Sequence, residues 1–372
     1  MNVLVVNAGS SSLKLRLLDD GDVLVHAADL SVGPDGLDPI VLATVLHGWP
    51  APEVVGHRVV HGGTAFTGPV RIDDGVRRQL ADLTDLAPLH QPKSLAALDA
   101  VSAALPDAPS VVCFDTAFHT TLSAAAATYA LPRQWRDRYH LRRYGFHGLS
   151  HAYASRRAAE LLERPPRGLR VVTCHLGAGA SLTAIVDGCS VDTTMGFTPL
   201  DGLVMATRSG SVDPGLVLWL QEHEHLSAHE IADTLEKHSG LVALAGTGDM
   251  REVEAAAGSG DVEAVLALDV YVHRLVAGIA SMCAAAGGLD VLVFTGGVGE
   301  NSTLVRRRAA ERLAFLGVAV DDDLNANVDV DRDISAAATL VRTLVIAARE
   351  DLEIVREVRS VLRADKGRSP AR

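Results

Sequence analysis

The sequence predicts an α/β protein built from two related halves. Three observations carry that expectation. Short apolar runs ending in glycine-rich or polar turns alternate with alanine- and leucine-rich stretches, the pattern of strands interleaved with helices. A strand–turn–strand pattern near the start recurs about half-way along the chain. The length, 372 residues, suits two domains at roughly 100–200 residues each.

The apolar runs 3–6, 111–114, 170–174 and 291–294 read as strands. The segments 94–105, 151–162, 226–237, 262–286 and 304–315 read as helices. Ser227 and Glu230 are spaced as a capping box and predict a helix start there. The internal echo pairs Leu4-Val5-Val6-Asn7-Ala8-Gly9, running on through Ser12 and Leu13, with Val172-Thr173-Cys174-His175-Leu176-Gly177, running on through Ser181 and Leu182. Each second strand ends in Asp-Gly, at Asp20-Gly21 and at Asp187-Gly188. The second turn reads as one residue longer. Downstream, Phe114-Asp115-Thr116 and Phe294-Thr295-Gly296 form a second pair. Two such hairpin turns are expected to face each other across an interdomain cleft, where ligand sites gather.

The chain carries 34 Lys and Arg against 46 Asp and Glu, a formal charge of −12. That argues against nucleic acid or an anionic membrane as partner, since both attract basic surface. Aromatic residues are only 4%, too few for a base-stacking surface. Cys113, Cys174, Cys189 and Cys283 form no C-x-x-C pair and each reads as a buried thiol of a reducing cytoplasm. The start reads as a strand and not as a signal peptide. The longest uncharged apolar stretch, 275–289, is shorter than the ~18 residues expected of a spanning helix.

Three glycine-rich turns follow apolar strands: Asn7 to Lys14, His175 to Ser181 and Thr295 to Asn301. Glycine lets backbone approach a ligand closely, and successive amides form anion nests. None is a Walker A loop, but three together favour a nucleotide over a lone anion. Arg58 stands in an apolar run ending in Gly62-Gly63, and Arg208 stands among small residues. An anion site and a structural ion pair both satisfy such an arginine. Asp115, at the end of a strand, suits Mg²⁺, a proton or a turn cap. His147 and His151 are spaced i, i+4, but no H-E-x-x-H pattern supports zinc. The run from Glu222 to His225 reads as a solvated helix end. The acidic segment 321–333 lacks the Gly and Glu of an EF-hand. The basic residues from Arg356 to Arg372 read as a helix end and frayed terminus.

These motifs, in this order, resemble the acetate kinase (acetokinase) family from Asn7 to about Leu352. The resemblance implies two duplicated ribonuclease H-like domains of the actin/Hsp70 type around a nucleotide cleft. One comprises 1–117 with 352–372 on the acyl and phosphate side, and the other, 118–351, binds nucleotide. It implies a cytoplasmic homodimer catalysing Mg²⁺-dependent phosphoryl transfer between ATP/ADP and acetate/acetyl phosphate, with Mn²⁺ able to substitute and propionate as a second substrate. Carried over, Asp115, Arg58, Arg208 and His147 are catalytic, and His147 with Arg208 stabilises the transition state. Arg58, Val60, Leu89, Phe146 and Pro199 bind the acyl substrate. Ser12, Lys14, His175, Leu176, Gly177, Ala178, Gly179, Asp249, Met250, Arg251, Gly297, Val298, Gly299, Glu300 and Asn301 bind nucleotide, with Ser10 near the phosphates. Asn7 and Glu350 join Asp115 at the metal. The chain departs from the family at Ala178 and Gln91, each where Asn is usual, around Glu350, and in a shortened region between 20 and 55. A sugar- or polyol-type kinase, with Asp115 as base, and a nucleotide-binding regulator without catalysis are the other two readings.

Overall fold

The computed structural model describes residues 1–9, 12–31, 38–87, 91–328 and 331–368. Ser10 and Leu89, singled out above, lie outside the described residues. Twelve strands are described: β1 (Val3–Ala8), β2 (Ser12–Leu18), β3 (Leu24–Ser31), β4 (Val54–Val59), β5 (Val70–Arg71), β6 (Ser110–Phe114), β7 (Arg170–Leu176), β8 (Ala180–Val186), β9 (Cys189–Thr193), β10 (Val291–Thr295), β11 (Arg332–Asp333) and β12 (Arg342–Val345). The helices are α1 (Pro39–His47), α2 (Asp74–Asp82), α3 (Gln91–Ala104), α4 (Ala124–Ala127), α5 (Arg133–Tyr139), α6 (Gly148–Leu161), α7 (Pro214–His223), α8 (Ala228–Lys237), α9 (Gly240–Ala245), α10 (Met250–Gly258), α11 (Val262–Ala286), α12 (Gly296–Asn301), α13 (Thr303–Arg312), α14 (Asp322–Ala326) and α15 (Glu350–Arg368).

The strands form two six-stranded sheets with orders β3-β2-β1-β4-β6-β5 and β11-β12-β10-β7-β8-β9. Read from the other edge, the second order is β9-β8-β7-β10-β12-β11, which matches the first strand for strand. In both, an antiparallel meander is followed by two parallel strands and a short antiparallel edge strand. The duplication read in the sequence is therefore present in the topology. The chain divides into two compact units. Unit 1 is Met1–Thr120, Gly148–Tyr153 and Arg349–Arg372, and unit 2 is Thr121–His147 and Ala154–Ala348.

In unit 1, β1 lies between β2 and β4 and is covered on both faces, so its first four residues, Val3 to Val6, are all apolar and buried. Leu4 and Val6 pack with Leu42 of α1 and Ala97 and Val101 of α3. Val3 and Val5 pack with Ile354, Val355 and Val358 of α15. Gly56 admits α15 against β4. A Cβ there would lie 2.6 Å from Ile354 Cγ2 and 2.8 Å from Val358 Cγ2.

In unit 2, β10 is buried along its whole length, and α11 packs on β7, β8 and β9. Asp261 caps the start of α11 through the Ala264 amide at 2.9 Å, and Gly287 ends it at φ 70°. The capping box at Ser227 and Glu230 forms as expected.

Four local expectations differ. In register, Ala8 pairs with Leu13 and Leu176 with Ala180, so the second hairpin turn is shorter than the first, not longer. The glycine-rich run after Thr295 is helix α12, because the chain continues into one helical turn and then into α13. Cys189 is exposed, since it opens β9 immediately after the Asp187-Gly188 turn. Helix α11, at 25 residues, is long and apolar enough to cross a membrane by composition, although no single uncharged run within it is; it lays one stripe on the unit 2 sheet.

Candidate active site

In unit 1, four polar side chains converge at the ends of strands. Parallel register sets Arg58 of β4 beside Asn7 of β1. Asp115 directly follows β6, and Glu350 opens α15. Arg58 donates through Nε to Asp115 Oδ1 at 2.8 Å and through Nη2 to Oδ2 at 2.5 Å. Its Nη1 donates to Asn7 Oδ1 at 2.9 Å. Asn7 Nδ2 in turn donates to Glu350 Oε2 at 3.0 Å, which lies 3.8 Å from Arg58 Nε. The Asp115 side chain is only 2% exposed. Burial opposes charge on both partners. On Arg58 it is overcome by Asp115 and then Glu350, which hold the guanidinium above its ordinary value. Burial pushes the Asp115 carboxyl up, while the two-pronged contact with Arg58 favours its ionised form. Of the two readings left open for Arg58, the ion pair is present. Three of its N–H groups are engaged and two remain for an oxyanion.

The other unit 1 candidates are more scattered. Lys14 of β2 is exposed and registers against Asn7. Ser12 offers its carbonyl to the Gly9 amide at 2.8 Å, which tightens the first turn. Val60, just after β4, is 8% exposed.

In unit 2, His147 has left-handed backbone, φ 56°, in the residue before α6. Its Nδ1 lies 2.9 Å from Ser181 Oγ, and its ring stacks on His175 at 4.4 Å. His175 and Ser181 face each other across the β7–β8 hairpin. Gly179, in that hairpin turn, makes room for two side chains. A Cβ there would sit 3.2 Å from His147 Nε2 and 3.5 Å from Arg208 Nη1. Arg208 donates weakly to the Pro199 carbonyl at 3.4 Å. Among the described residues it has no carboxylate partner, and burial lowers its pKa, with only Glu236 opposing. Phe146, beside His147, is 1% exposed.

A cavity of about 620 Å³ opens in the same unit. Of the sequence candidates, Gly177, Ala178, Asp249, Met250, Arg251, Gly297, Val298 and Asn301 line it. Leu176 and Gly299 are buried behind it, and His175 and Gly179 belong to the histidine cluster. Glu300 faces the backbone: its Oε1 accepts from the Gly296 and Ala348 amides, both at 2.9 Å. Leu241, Gly248, Glu254, Tyr271 and Ser302 also line the cavity, and the sequence reading missed them. The turn Gly246-Thr247-Gly248-Asp249 ahead of α10 was a usable signal for one side. Nothing local marks Tyr271, which is one position of a long apolar helix.

The profile of the acetokinase family matches residues 50–356. An acetate kinase of Trichormus variabilis is 50% identical over 306 residues, covering 82% of this chain and 75% of that protein. The crystal structure of Porphyromonas gingivalis acetate kinase superposes with a TM-score of 0.89 at 34% identity, covering 97% and 99% of the two chains. A propionate kinase from Francisella tularensis superposes at 0.88 with 36% identity, covering 96% and 98%.

Proposed function

The chain belongs to the acetokinase family, and from that premise we propose that it transfers a phosphoryl group reversibly between ATP and acetate, giving ADP and acetyl phosphate. The observation that carries the acceptor class is the Arg58–Asp115 pair. A sugar or polyol acceptor must lose a proton, and Asp115 is the side chain placed to take it. Both its oxygens are held by Arg58, at 2.8 and 2.5 Å, which makes it a poor base. A carboxylic acid is already ionised at pH 7 and needs none. What opposes transfer is repulsion between that carboxylate and the phosphates. Arginines and a histidine, brought onto one phosphoryl group, counter it by positioning and charge.

In this reading transfer is direct and in line. Arg58 orients the carboxylate with its two free N–H groups. Arg208 and His147 stabilise charge on the moving phosphoryl oxygens. Val60 in unit 1 and Phe146 and Pro199 in unit 2 are the apolar side chains assigned to the acyl methyl, and Leu89 is assigned with them from the sequence alone. The 620 Å³ cavity holds the nucleoside, and Ser12 and Lys14 of unit 1 are assigned to its phosphates. Unit 1 is thus the acyl side and unit 2 the nucleotide side. Asn7, Asp115 and Glu350 present one amide and two carboxylate oxygens, the hard donors that Mg²⁺ prefers, and Mn²⁺ shares that preference. Among the described residues no group of three or more His, Cys, Asp or Glu is placed to hold a metal ion. Mg²⁺ is usually bound by one or two carboxylates together with waters and substrate oxygens. The ion, when bound, neutralises phosphate charge.

A homodimer is supported by α7. Its sequence is largely apolar, yet none of its residues is buried, and Leu216, Leu218 and Trp219 are exposed. A cytoplasmic setting is supported by four cysteines that are all free thiols. Propionate as a second substrate is supported by the similarity to a propionate kinase, since one methylene is worth only ~1–3 kcal/mol in an apolar pocket.

The test is trapping of acyl phosphate with hydroxylamine, with kcat/KM measured for acetate, propionate and butyrate. Acyl hydroxamate should form with acetate, and Val60→Ala should raise butyrate relative to acetate. ADP release that requires a hydroxyl acceptor, with no hydroxamate, overturns the assignment.

A further inference from the structure

Unit 2 carries a second cavity, of about 520 Å³, between α11 and α13. Asp269, Val270, His273 and Arg274 line it from α11, and Arg308 and Arg312 from α13. The i, i+4 spacing within each helix stacks these side chains along one face. Asp269 is engaged by Arg308 Nη2. Arg312 Nη2 donates to His273 Nδ1 at 3.1 Å, so that nitrogen accepts and the ring pairs as a neutral group. Among the described residues neither Arg274 nor Arg312 has a carboxylate partner. Three guanidinium groups and one carboxylate therefore surround a hollow on a chain whose formal charge is −12. Against that background the local excess of positive charge has no internal complement.

We propose that this hollow binds a phosphate-bearing anion. Arg274 and Arg312 take its oxygens, and Arg308 is held in place by Asp269. Arginine fits this task because its planar fork meets two phosphate oxygens at once. The site goes beyond the kinase reading. Tyr271, one residue from Val270, lines the 620 Å³ cavity. Ser302 lines that cavity too, and its Oγ caps α13 through the Val305 amide at 3.0 Å. Helix α11 and the residue capping α13 thus border the nucleotide cavity as well.

The experiment titrates the purified protein with inorganic phosphate, pyrophosphate and glycerol 3-phosphate at constant ionic strength, read by calorimetry and by thermal shift. Phosphate held at the kinase site contributes equally to parent and variant, so their difference reads the hollow. The expected result is saturable binding that weakens at least about tenfold in Arg274→Ala/Arg312→Ala, with hydroxamate formation in anion-free buffer unchanged. The Arg274→Lys/Arg312→Lys pair keeps the charge without the fork and should bind with intermediate strength, which guards against misfolding of the alanine variant. Equal titrations of parent and both variants, or no saturable binding, overturn the site. Response to inorganic phosphate alone identifies the free ion as ligand, and response to the ester identifies a phosphorylated metabolite. Failure of the parent to form hydroxamate bears on the kinase assignment and not on this one.

Discussion

The two arginines read as equivalent in the sequence and are not equivalent in the structure. Arg58 is a paired group: it fixes Asp115 and Asn7 and has limited capacity left. Arg208 is half-buried with no carboxylate partner among the described residues, and the absence of a Cβ on Gly179 leaves space beside its Nη1. Leaving a half-buried cation uncompensated is costly unless an anion arrives. Arg208→Ala should therefore lower kcat by on the order of 10²–10³, the loss seen when an oxyanion donor is removed. Steady-state hydroxamate kinetics check this, and near-normal kcat removes Arg208 from the mechanism. Arg58→Ala is the less clean experiment, because it strands the Asp115 carboxylate as well as removing a ligand. Residue types and their neighbours in sequence were enough to single out Arg58, Arg208, Asp115 and His147. Which arginine is paired depends on β4 and β6 lying in register, and no local signal encodes that.

Among the elements, α15 does the most for unit 1. It places Glu350 beside Asn7 and covers one face of the sheet with Ile354, Val355 and Val358. Its Glu357 has a buried Oε2 with no hydrogen-bond partner among the described residues. Burial raises the carboxyl to about 7; the Cys113 thiol and Arg356 pull it down, while Glu353 and Asp115 add to the rise. A carboxyl whose folded pKa lies above its unfolded value binds its proton more tightly when folded. Its contribution to stability is complete below about pH 4.5 and is lost as pH rises through 7, at most about 3 kcal/mol. Glu357→Gln keeps the neutral shape, so it should be more stable than the parent at pH 8 and little different at pH 4.5. Urea midpoints at the two values check this, and an unchanged pH slope refutes it. Strongly patterned elements such as β1, β10 and α11 were legible because each is apolar where it is buried. Of helix α15 only the end from Arg356 was legible; its start and its packing on the sheet were not, since its charged residues outnumber its core positions and the close approach depends on Gly56 of β4.

For the whole molecule, length and the echo of two hairpins pointed to duplication, and the two sheets share one strand order down to the short edge strands. Those edge strands, β5 and β11, are two residues each and leave no mark in the sequence. The exposed apolar face of α7 belongs to this scale too. Trp219→Glu should convert the proposed dimer to monomer in sedimentation, with unit folding intact by circular dichroism; an unchanged mass places the interface elsewhere. One property of the chain path bears on how the protein is made. Unit 1 is discontinuous: all of unit 2, with the first residues of α6 from unit 1 set within it, is synthesised between Thr120 and Arg349. On a ribosome adding roughly 5–20 residues per second, the first sheet emerges early and waits for its last helix. Val3 and Val5 meet Ile354, Val355 and Val358 only after all of unit 2 has been synthesised. Unit 2 can finish folding first, while half of the earlier sheet stays uncovered. A chain cut short before residue 350 keeps α1 and α3 on one face of that sheet and leaves the face of Val3 and Val5 without its covering helix.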